Sequence, residues 1–523
     1  MNTIYRKSKV INTYALLLIE LAVIVISEGA GSWFERLLGI DRKGFSAPIG
    51  FAVLMACLQV LAYPAQIGNW SFLYLLLVTL ILFAAAIWMT CWNAKEAFRH
   101  FRRKETFIVL FAGLLFLYLA SKNLMVSAGI PGGYFKGHAN EIGSGLFQVY
   151  PQFLRVLTWL NELPHLLHLS SIPADYIFCE MVGGGLLFAV ISSMFIVNVV
   201  RSFHLRNHWL EFSIIAFMLT YENYVSWHLS TAYLGTAWSE LMMAEGLFVI
   251  WRWHQESNEQ IKYLLIPVLM AGLAFDNGFG LAGIAILYGL LAYQLRTRTI
   301  RCFFELFSNL APYVLYSAAL LSRTSEAGAW ILFLFYLAFL FFRYRKPFRR
   351  WITLGEEWLF DHGDLILFGI IPAAAAGLSL YLSIAEPWAA TAYSYYFQDF
   401  TEVGDARDYL FIHSSWLEIV LNIFRWGGLV LLIIFAKTKD EQIMRIMMIT
   451  TLLVFLNPLC TPFLTYITGP AFYRTFTVLF NPFTETVMFL KFYHLFEWNA
   501  VGQWILELAL CLAAFMGLIT ILF

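Results

Sequence analysis

Ionisable side chains inside long apolar segments are the first candidates for chemistry in this sequence. A charge in such surroundings is costly, and in a membrane it usually marks a functional site. These residues are Glu180, Glu222, His228, Glu240, Glu245, Asp276, Arg474, Glu485 and Glu507. Several of them lie near the end of an apolar run, where a long side chain can reach water. Glu222, His228 and Glu240 cluster around one turn between two runs, so we expect His228 and Glu240 to contact a substrate.

Arg474 lies at the mouth of an expected helix break. It follows Asn457-Pro458 and the stretch 469–473 (Gly-Pro-Ala-Phe-Tyr), and few other cations are near it in the sequence. An arginine in this position can bind a phosphate through two parallel hydrogen bonds. The alternative is an ion pair with a carboxylate from another helix. The pattern thus indicates either a phosphate site or a structural ion pair.

The longer of two polar segments, 123–177, carries a second set of candidates. Tyr134, His138 and Glu141 lie in its glycine-rich first part, and an apolar stripe then runs from Phe147 to Leu160. That stripe is typical of a helix that lies on the membrane surface. One interpretation is an interfacial helix that only covers the bundle. The other is a catalytic loop in which Glu141 is the acid or base.

The second polar segment, 384–415, interleaves aromatic rings with carboxylates. Tyr395, Tyr396 and Asp399 are its central residues, and this combination suits a sugar, whose faces stack on rings and whose hydroxyls donate to carboxylates. The alternative is an aromatic belt whose acidic residues face water. Because ligand pockets combine an apolar lining with a few converging polar groups, we expect Tyr134 and Glu141 to share one groove with these three residues.

The composition determines the surroundings of these candidates. Of the 523 residues, 60% are hydrophobic and 13% are charged, whereas soluble domains have about 45–50% and about 25%. The formal net charge is zero, which gives no indication of a nucleic-acid partner. The hydrophobicity excludes intrinsic disorder. The six cysteines form no metal-binding spacing and no disulfide framework, so no metal site is predicted.

Long apolar runs predict an all-α polytopic membrane protein with about 13–16 transmembrane helices, because a span needs roughly 20 apolar residues. A single integral membrane domain over 1–523 is expected, with 123–177 and 384–415 as its two large outer loops. The runs are continuous rather than alternating, which excludes a transmembrane β-barrel. The runs lie near 11–27, 46–64, 71–92, 106–122, 178–200, 209–226, 233–251, 263–275, 278–294, 303–321, 328–342, 364–383, 416–436, 444–458, 472–490 and 501–523. The runs 263–275 and 278–294 are short, and we expect a broken or re-entrant pair.

Orientation follows from the lysines and arginines of the loops, which collect on the cytoplasmic side. One set of loops holds twenty basic residues, and the alternate loops hold six. The first set is therefore assigned to the cytoplasm, which places 123–177 and 384–415 outside. Arg6, Lys7 and Lys9 point to a cytoplasmic N-terminus, which conflicts with this parity, so the side of the N-terminus is left open. The first run also resembles a signal peptide, with 27–32 as a cleavage region, although an uncleaved helix is favoured.

Four features resemble the C-type integral-membrane glycosyltransferases, which use polyprenyl-phosphate sugars. The first is the outer loop that carries Glu141 and leads into a surface helix. The second is 227–240, from Trp-His-Leu-Ser to Trp-Ser-Glu, which is similar to the short loop and acidic helix start between two mid-chain spans. The third is the broken pair at 276–278 (Asp-Asn-Gly). The fourth is Asn457-Pro458 followed by Tyr473-Arg474, and the resemblance spans 106–490.

This resemblance implies a GT-C-like fold and an inverting transfer of a sugar on the outer face, from a polyprenyl-phosphate donor to a cell-envelope acceptor. Glu141 would be the general base on the acceptor hydroxyl. Arg474, with Tyr473, would hold the departing lipid phosphate. Some members use a divalent metal, but no ligand set is visible in this sequence. The implied location is the bacterial cytoplasmic membrane, and the oligomeric state is left open.

Three other classes stay open at this point. A polymerase or ligase of surface polysaccharide would share the outer loops and a phosphate-binding arginine. A multi-pass transporter or flippase would show inverted repeats and a midplane site, and no internal repeat is visible. A membrane acyltransferase would need a buried catalytic histidine, for which His228 and His494 are available.

The loop assignment predicts which positions react from outside the cell. In a variant without native cysteines, Gln398→Cys should be labelled in intact cells by a membrane-impermeant thiol reagent, and Pro347→Cys should be labelled only after permeabilisation. The reason is the bias of twenty basic residues against six. Labelling of position 347 but not 398 in intact cells would reverse the assigned orientation.

Overall fold

The computed structural model describes most of the chain. The described residues are 2–41, 44–67, 72–97, 106–115, 149–171, 173, 179, 184–220, 234–256, 258–322, 325–345, 349–390, 417–496 and 499–522. These residues contain helices and turns but no β-strand, which confirms the all-α prediction for them.

The described helices of more than four residues differ widely in length. In chain order they are α1 (Asn2–Leu37), α2 (Ala47–Ile67), α3 (Phe72–Ala97), α4 (Thr106–Leu115), α5 (Val149–Asn161), α6 (Gly185–Ser202), α7 (His208–Thr220), α8 (Leu234–Glu256), α9 (Leu265–Phe275), α10 (Gly280–Arg296), α11 (Ile300–Asn309), α12 (Ala311–Leu321), α13 (Glu326–Tyr344), α14 (Arg349–Leu365), α15 (Ile371–Ala385), α16 (Leu417–Phe435), α17 (Lys439–Thr450), α18 (Thr461–Thr468), α19 (Pro482–Leu495) and α20 (Ala500–Leu522). Segments of 3₁₀ or π helix, three to ten residues long, connect several of them.

Seven of the described helices are long and apolar enough to cross a bilayer, and a bent pair would make eight. The seven are Ile11–Leu37, Leu73–Lys95, Gly185–Ser202, Asn277–Arg296, Glu326–Tyr344, Leu354–Ala385 and Ala500–Ile519. The bent pair, Lys439–Phe455 with Pro458–Thr468, turns by 46° at its break. The chain is therefore a polytopic α-helical membrane protein. The total of 13–16 spans stays a prediction, since parts of several runs lie outside the described residues.

Two of the apolar runs are each divided between two elements in the structure. The first part of the run 472–490 belongs to a 3₁₀ segment that ends at Val478, and the second part belongs to α19. Helix α19 begins at Pro482, because the Asn481 side chain accepts hydrogen bonds from the backbone N–H groups of Phe483 and Thr484. The run 303–321 is divided between α11 and α12 at Pro312. Proline is favoured at a helix start, where its missing N–H group costs nothing.

The described chain forms two compact units. Unit 1 comprises 1–245, 274–276 and 499–523, and unit 2 comprises 246–273 and 277–498. Helix α8 contributes its first half to unit 1 and its second half to unit 2.

In unit 1, the small residues near the end of α1 allow close contact with two neighbouring helices. A Cβ added to Gly31 would lie 2.8 Å from the backbone nitrogen of Gly50 in α2, and a Cβ added to Gly29 would lie 2.6 Å from the methyl group of Thr90 in α3. Both distances are too short for a side chain. The stretch 27–32, which the sequence also offered as a cleavage region, therefore packs α1 against α2 and α3 within one continuous helix.

Two carboxylates of α1 hold the start of α2. Glu28 accepts hydrogen bonds from the backbone N–H groups of Ser46, at 3.0 Å, and Ala47, at 2.8 Å. Glu35 accepts a hydrogen bond from the Ser46 hydroxyl at 2.5 Å. The first N–H groups of a helix have no partner within the helix, and a negative charge there also interacts favourably with the helix dipole. Glu28 thus does from a neighbouring helix what an N-cap residue does locally.

Glu20, two turns before Ser27 on the same helix, has the opposite surroundings. Its side chain is fully buried, and neither carboxyl oxygen has a hydrogen-bond partner in the described part of the chain. Burial of a polar group without a hydrogen bond is unfavourable by about 1–3 kcal/mol in proteins. The burial of the Glu20 carboxyl group is therefore unfavourable, whereas the hydrogen bonds of Glu28 are stabilising.

The core of unit 1 is a cluster of aromatic rings around Trp238, which is fully buried in α8. The ring centroids of Phe51, Phe188 and Phe275 lie 4.4, 5.0 and 5.4 Å from that of Trp238. Such pairs stabilise a core beyond the apolar area that they bury. The cluster anchors the first half of α8 and thereby the position of Glu240 on the same helix.

In unit 2, several cations of the loops assigned to the cytoplasm form ion pairs. Lys262 contacts Glu305 at 2.6 Å and Glu259 at 3.2 Å, and Arg301 contacts Glu356 at 2.8 Å. Burial by itself lowers the pKa of Lys262, but hydrogen bonds to Glu305 and Glu259 outweigh it and hold the pKa above its usual value. These ammonium and guanidinium groups therefore stay charged at neutral pH.

The contrast between Glu28 and Glu20 predicts opposite effects of one substitution. Glu28→Leu should lower the free energy of unfolding by about 2–4 kcal/mol, because it leaves two buried N–H groups without partners. Glu20→Leu should leave it unchanged or raise it by about 1 kcal/mol, since the carboxyl group makes no hydrogen bond. Thermal unfolding of the two purified variants in one detergent compares them directly. Equal losses in both variants would contradict the assignment.

Candidate functional site

The best candidate for a binding site in unit 2 is the helix break before α10. A 3₁₀ turn over Asn277–Phe279 precedes Gly280, the first residue of α10. The N-cap residue is Phe279, whose side chain has no acceptor atom, and no described side chain caps the first N–H groups of α10. Helix N-termini of this kind attract anions, because exposed N–H groups and the helix dipole act together. The sequence predicted a broken helix pair at this place, and the structure has the break.

A second 3₁₀ segment, Gly469–Val478, brings Arg474 to this turn. Polar side chains of the segment satisfy its own carbonyl groups: Thr475 donates to Phe472, and Thr477 donates to Arg474, at 2.7 and 2.9 Å. Tyr473 is buried, with its ring edge-on to that of Phe472. These interactions hold the backbone at Arg474, while its own side chain is only half-buried.

The guanidinium of Arg474 lies directly over the turn. A Cβ atom added to Gly278 would be 2.8 Å from Cζ and 3.1 Å from Cδ of Arg474. The Cζ atom also lies 5.2 Å from the centre of the Phe279 ring, a distance at which a cation is attracted to an aromatic face. The arginine side chain thus occupies the space that the missing side chain of Gly278 leaves.

Asn277 adds a further donor to the turn. Its Oδ1 atom accepts a hydrogen bond from the Tyr316 hydroxyl at 3.1 Å, which leaves the Nδ2 group for another partner. The Nδ2 atom is buried and has no hydrogen-bond partner among the described residues. The break therefore gathers three kinds of donor: a guanidinium, an amide group and the first backbone N–H groups of α10. Such a set is suited to an anion with several oxygen atoms.

In unit 1, Glu240 is buried on α8, one turn after Thr236. The Thr236 hydroxyl donates a hydrogen bond to Asp276 Oδ2 at 3.0 Å. Residues four apart share one face of a helix, so Thr236 and Glu240 lie on the same side of α8. Of the residues that the sequence singled out for substrate contact, Glu240 is in unit 1, and Tyr473 and Arg474 are in unit 2.

The other predicted site residues lie outside the described residues. They are Tyr134, His138, Glu141, His228, Tyr395, Tyr396 and Asp399. The predicted groove between the two outer loops stays a prediction for the same reason. Within the described ranges, no three His, Cys, Asp or Glu side chains are arranged to hold a metal ion. Against models of known protein families, curated proteins and solved structures, the chain has no match.

The sequence predicted only one partner of a buried ion pair in unit 2. Glu485 was singled out, but its partner Arg425 on α16 was not, although it stands alone in the apolar run 416–436. Arg425 Nε lies 2.6 Å from Glu485 Oε1, and both side chains are less than one-tenth exposed. The guanidinium also lies 4.3 Å from the Phe480 ring centre. A lone arginine in an apolar run was the sequence signal for this pair.

Removal of one partner of this pair should cost more than removal of both. Arg425→Leu or Glu485→Leu alone should lower the free energy of unfolding by about 3–5 kcal/mol, because each leaves a buried charge without its counter-ion. The double variant should lose much less than the sum of the two. A double-mutant cycle on thermal unfolding in detergent measures the coupling, and additive losses would show that the two charges do not stabilise each other.

Proposed function

We propose that this chain is a membrane glycosyltransferase of the GT-C-like class, with 13–16 spans, in the bacterial cytoplasmic membrane. It moves a sugar from a polyprenyl-phosphate donor to a cell-envelope acceptor on the outer face. The observation that supports it most directly is the position of the Arg474 guanidinium over the turn Asn277–Phe279, at the uncapped start of α10. In this proposal the turn binds the phosphate of the lipid donor.

The donor set fits a leaving phosphate. When the bond between the sugar C1 atom and the phosphate oxygen breaks, negative charge grows on that oxygen. Donors that are already in place stabilise such charge without reorganisation, and a guanidinium can do so with two parallel hydrogen bonds. Arg474, the Asn277 amide and the N–H groups of α10 are donors of this kind.

The acceptor side of the reaction needs a base. The acceptor hydroxyl oxygen forms the new bond to C1, and its proton passes to the Glu141 carboxylate in this proposal. Attack on the face opposite the departing phosphate inverts the configuration at C1. The aromatic and acidic residues Tyr395, Tyr396 and Asp399 would bind the sugar, while the lipid chain stays in the bilayer.

A transporter or flippase of a lipid phosphate is the second candidate function. The buried Arg425–Glu485 pair favours it, because paired charges inside a membrane bundle often line the path of a substrate or an ion. A polysaccharide polymerase or ligase would use the same phosphate site as the main proposal. Reconstituted vesicles separate these classes: release of polyprenyl phosphate with a new glycosidic bond identifies a transferase, whereas movement of intact donor between leaflets identifies a flippase.

Substitutions at Arg474 and Glu141 should fail in different ways. Arg474→Lys keeps the charge but loses the planar fork, so donor binding should weaken, and Arg474→Ala should weaken it further. Glu141→Gln cannot accept a proton, so donor binding should persist while turnover falls by about a hundredfold or more. Transfer from a labelled polyprenyl-phosphate sugar and donor binding are measured separately on each purified variant.

The contrary results are equally distinct. If Arg474 is a structural ion-pair partner, Arg474→Ala will lower thermal stability without a selective effect on donor binding. If Glu141 is a solvated loop carboxylate, Glu141→Gln will be silent. Full activity of Glu141→Gln would remove the catalytic role of that residue, even with the transferase class intact.

A further inference from the structure

We infer that Gly278 is a positioning residue of the phosphate site: its missing side chain forms the slot that orients the guanidinium of Arg474. The inference rests on the proposed function for its consequence in binding, but the slot itself is a feature of unit 2. The proposed role of Gly278 is to set the orientation of the Arg474 guanidinium, and it does not affect the charge of that group.

The slot is specific to this glycine. Two atoms of the arginine arm, Cδ and Cζ, would lie within 3.1 Å of a Cβ atom at position 278, so the arm crosses the glycine along its length. At Gly280, two residues later, the nearest atom to an added Cβ is a Leu273 methyl group at 3.3 Å. Only the first of the two glycines faces the arginine.

Backbone conformation does not require glycine at position 278. In the described part of the chain, Gly39 alone among the glycines has a positive φ angle. Alanine can therefore adopt the backbone conformation of Gly278 without strain. Its methyl group, however, would overlap the side chain of Arg474. Because the arm is the long end of a side chain, it would move aside rather than break the fold.

The neighbouring residues complete the slot. The Phe279 ring lies 5.2 Å from Cζ of Arg474, and the Tyr316 hydroxyl donates a hydrogen bond to Asn277 Oδ1 in the same turn. The three successive residues of the turn thus have separate roles. Asn277 supplies an amide donor, Gly278 leaves space for the arginine side chain, and Phe279 places an aromatic ring beside the guanidinium. A bidentate contact to phosphate depends on the plane of the guanidinium, and this plane is what the slot controls.

The inference predicts a coupling between positions 278 and 474. Gly278→Ala should displace the guanidinium and weaken binding of a polyprenyl phosphate by about tenfold, the effect of about 1.4 kcal/mol. In an Arg474→Lys background, Gly278→Ala should change binding little, because the planar fork that it displaces is already absent. Gly377→Ala, in α15, is the matched control, since an added Cβ there meets nothing within 4 Å; its binding should equal that of the wild type.

The experiment uses the purified full chain in detergent with two readouts. The first is the affinity for a short-chain polyprenyl phosphate. The second is the thermal unfolding midpoint without ligand, for Gly278→Ala in the wild-type and Arg474→Ala backgrounds. Gly→Ala at a compatible backbone stabilises a protein through the unfolded state, so the midpoint should rise only where the arginine arm is gone.

The two readouts separate the slot from the proposed function. Unchanged affinity in Gly278→Ala, beside a wild type that binds, would overturn the positioning role. Equal midpoint shifts in both backgrounds would overturn the slot. If the wild type binds no polyprenyl phosphate, the proposed function fails, and the unfolding cycle still decides whether Gly278 positions Arg474.

Discussion

Lipid offers no hydrogen-bond partners, so a polar group of this chain inside a bilayer depends on the chain itself. The ends and breaks of helices are where this constraint is hardest to meet. At the start of α2, the neighbouring helix supplies Glu28, and at the start of α19, Asn481 supplies its own side chain. At the exposed start of α17, where water is also available, Thr438 and Glu441 form a reciprocal capping box. Each device satisfies backbone groups that the helix leaves unpaired.

The turn Asn277–Phe279 departs from this pattern. In the part of the chain that the structure describes, no side chain caps the start of α10, and the guanidinium of Arg474 lies over the turn. A cation at a helix N-terminus is electrostatically unfavourable by itself. An anion bound between the guanidinium and the N–H groups would be attracted by both and would offset their repulsion. The charges at the break therefore suit an anion, which is the property that the proposed phosphate site needs.

Three buried glutamates elsewhere in the chain have very different surroundings. Glu485 has a counter-ion in Arg425, Glu28 has two backbone donors, and Glu20 has no partner among the described residues. All three belong to apolar stretches of similar composition. The sequence singled out Glu485 but neither Glu20 nor Glu28, and it could not separate their surroundings, because a counter-ion or a donor comes from another helix.

The sequence by itself determined that the chain belongs in a membrane, that it is helical and that a helix breaks at 276–278, and it singled out Arg474 as a candidate. These properties depend on composition and on local chemistry: apolar runs require lipid, and Asp-Asn-Gly interrupts a helix. The tertiary structure decided that Arg474 lies over Gly278 and that Arg425 pairs with Glu485, residues separated by many positions. It also showed that a new helix begins at Asn481-Pro482 within the run 472–490. This helix-start signal was overlooked because the flanking residues are apolar. The physical reason is that packing partners are chosen by the three-dimensional meeting of helices, which no local pattern of residues encodes.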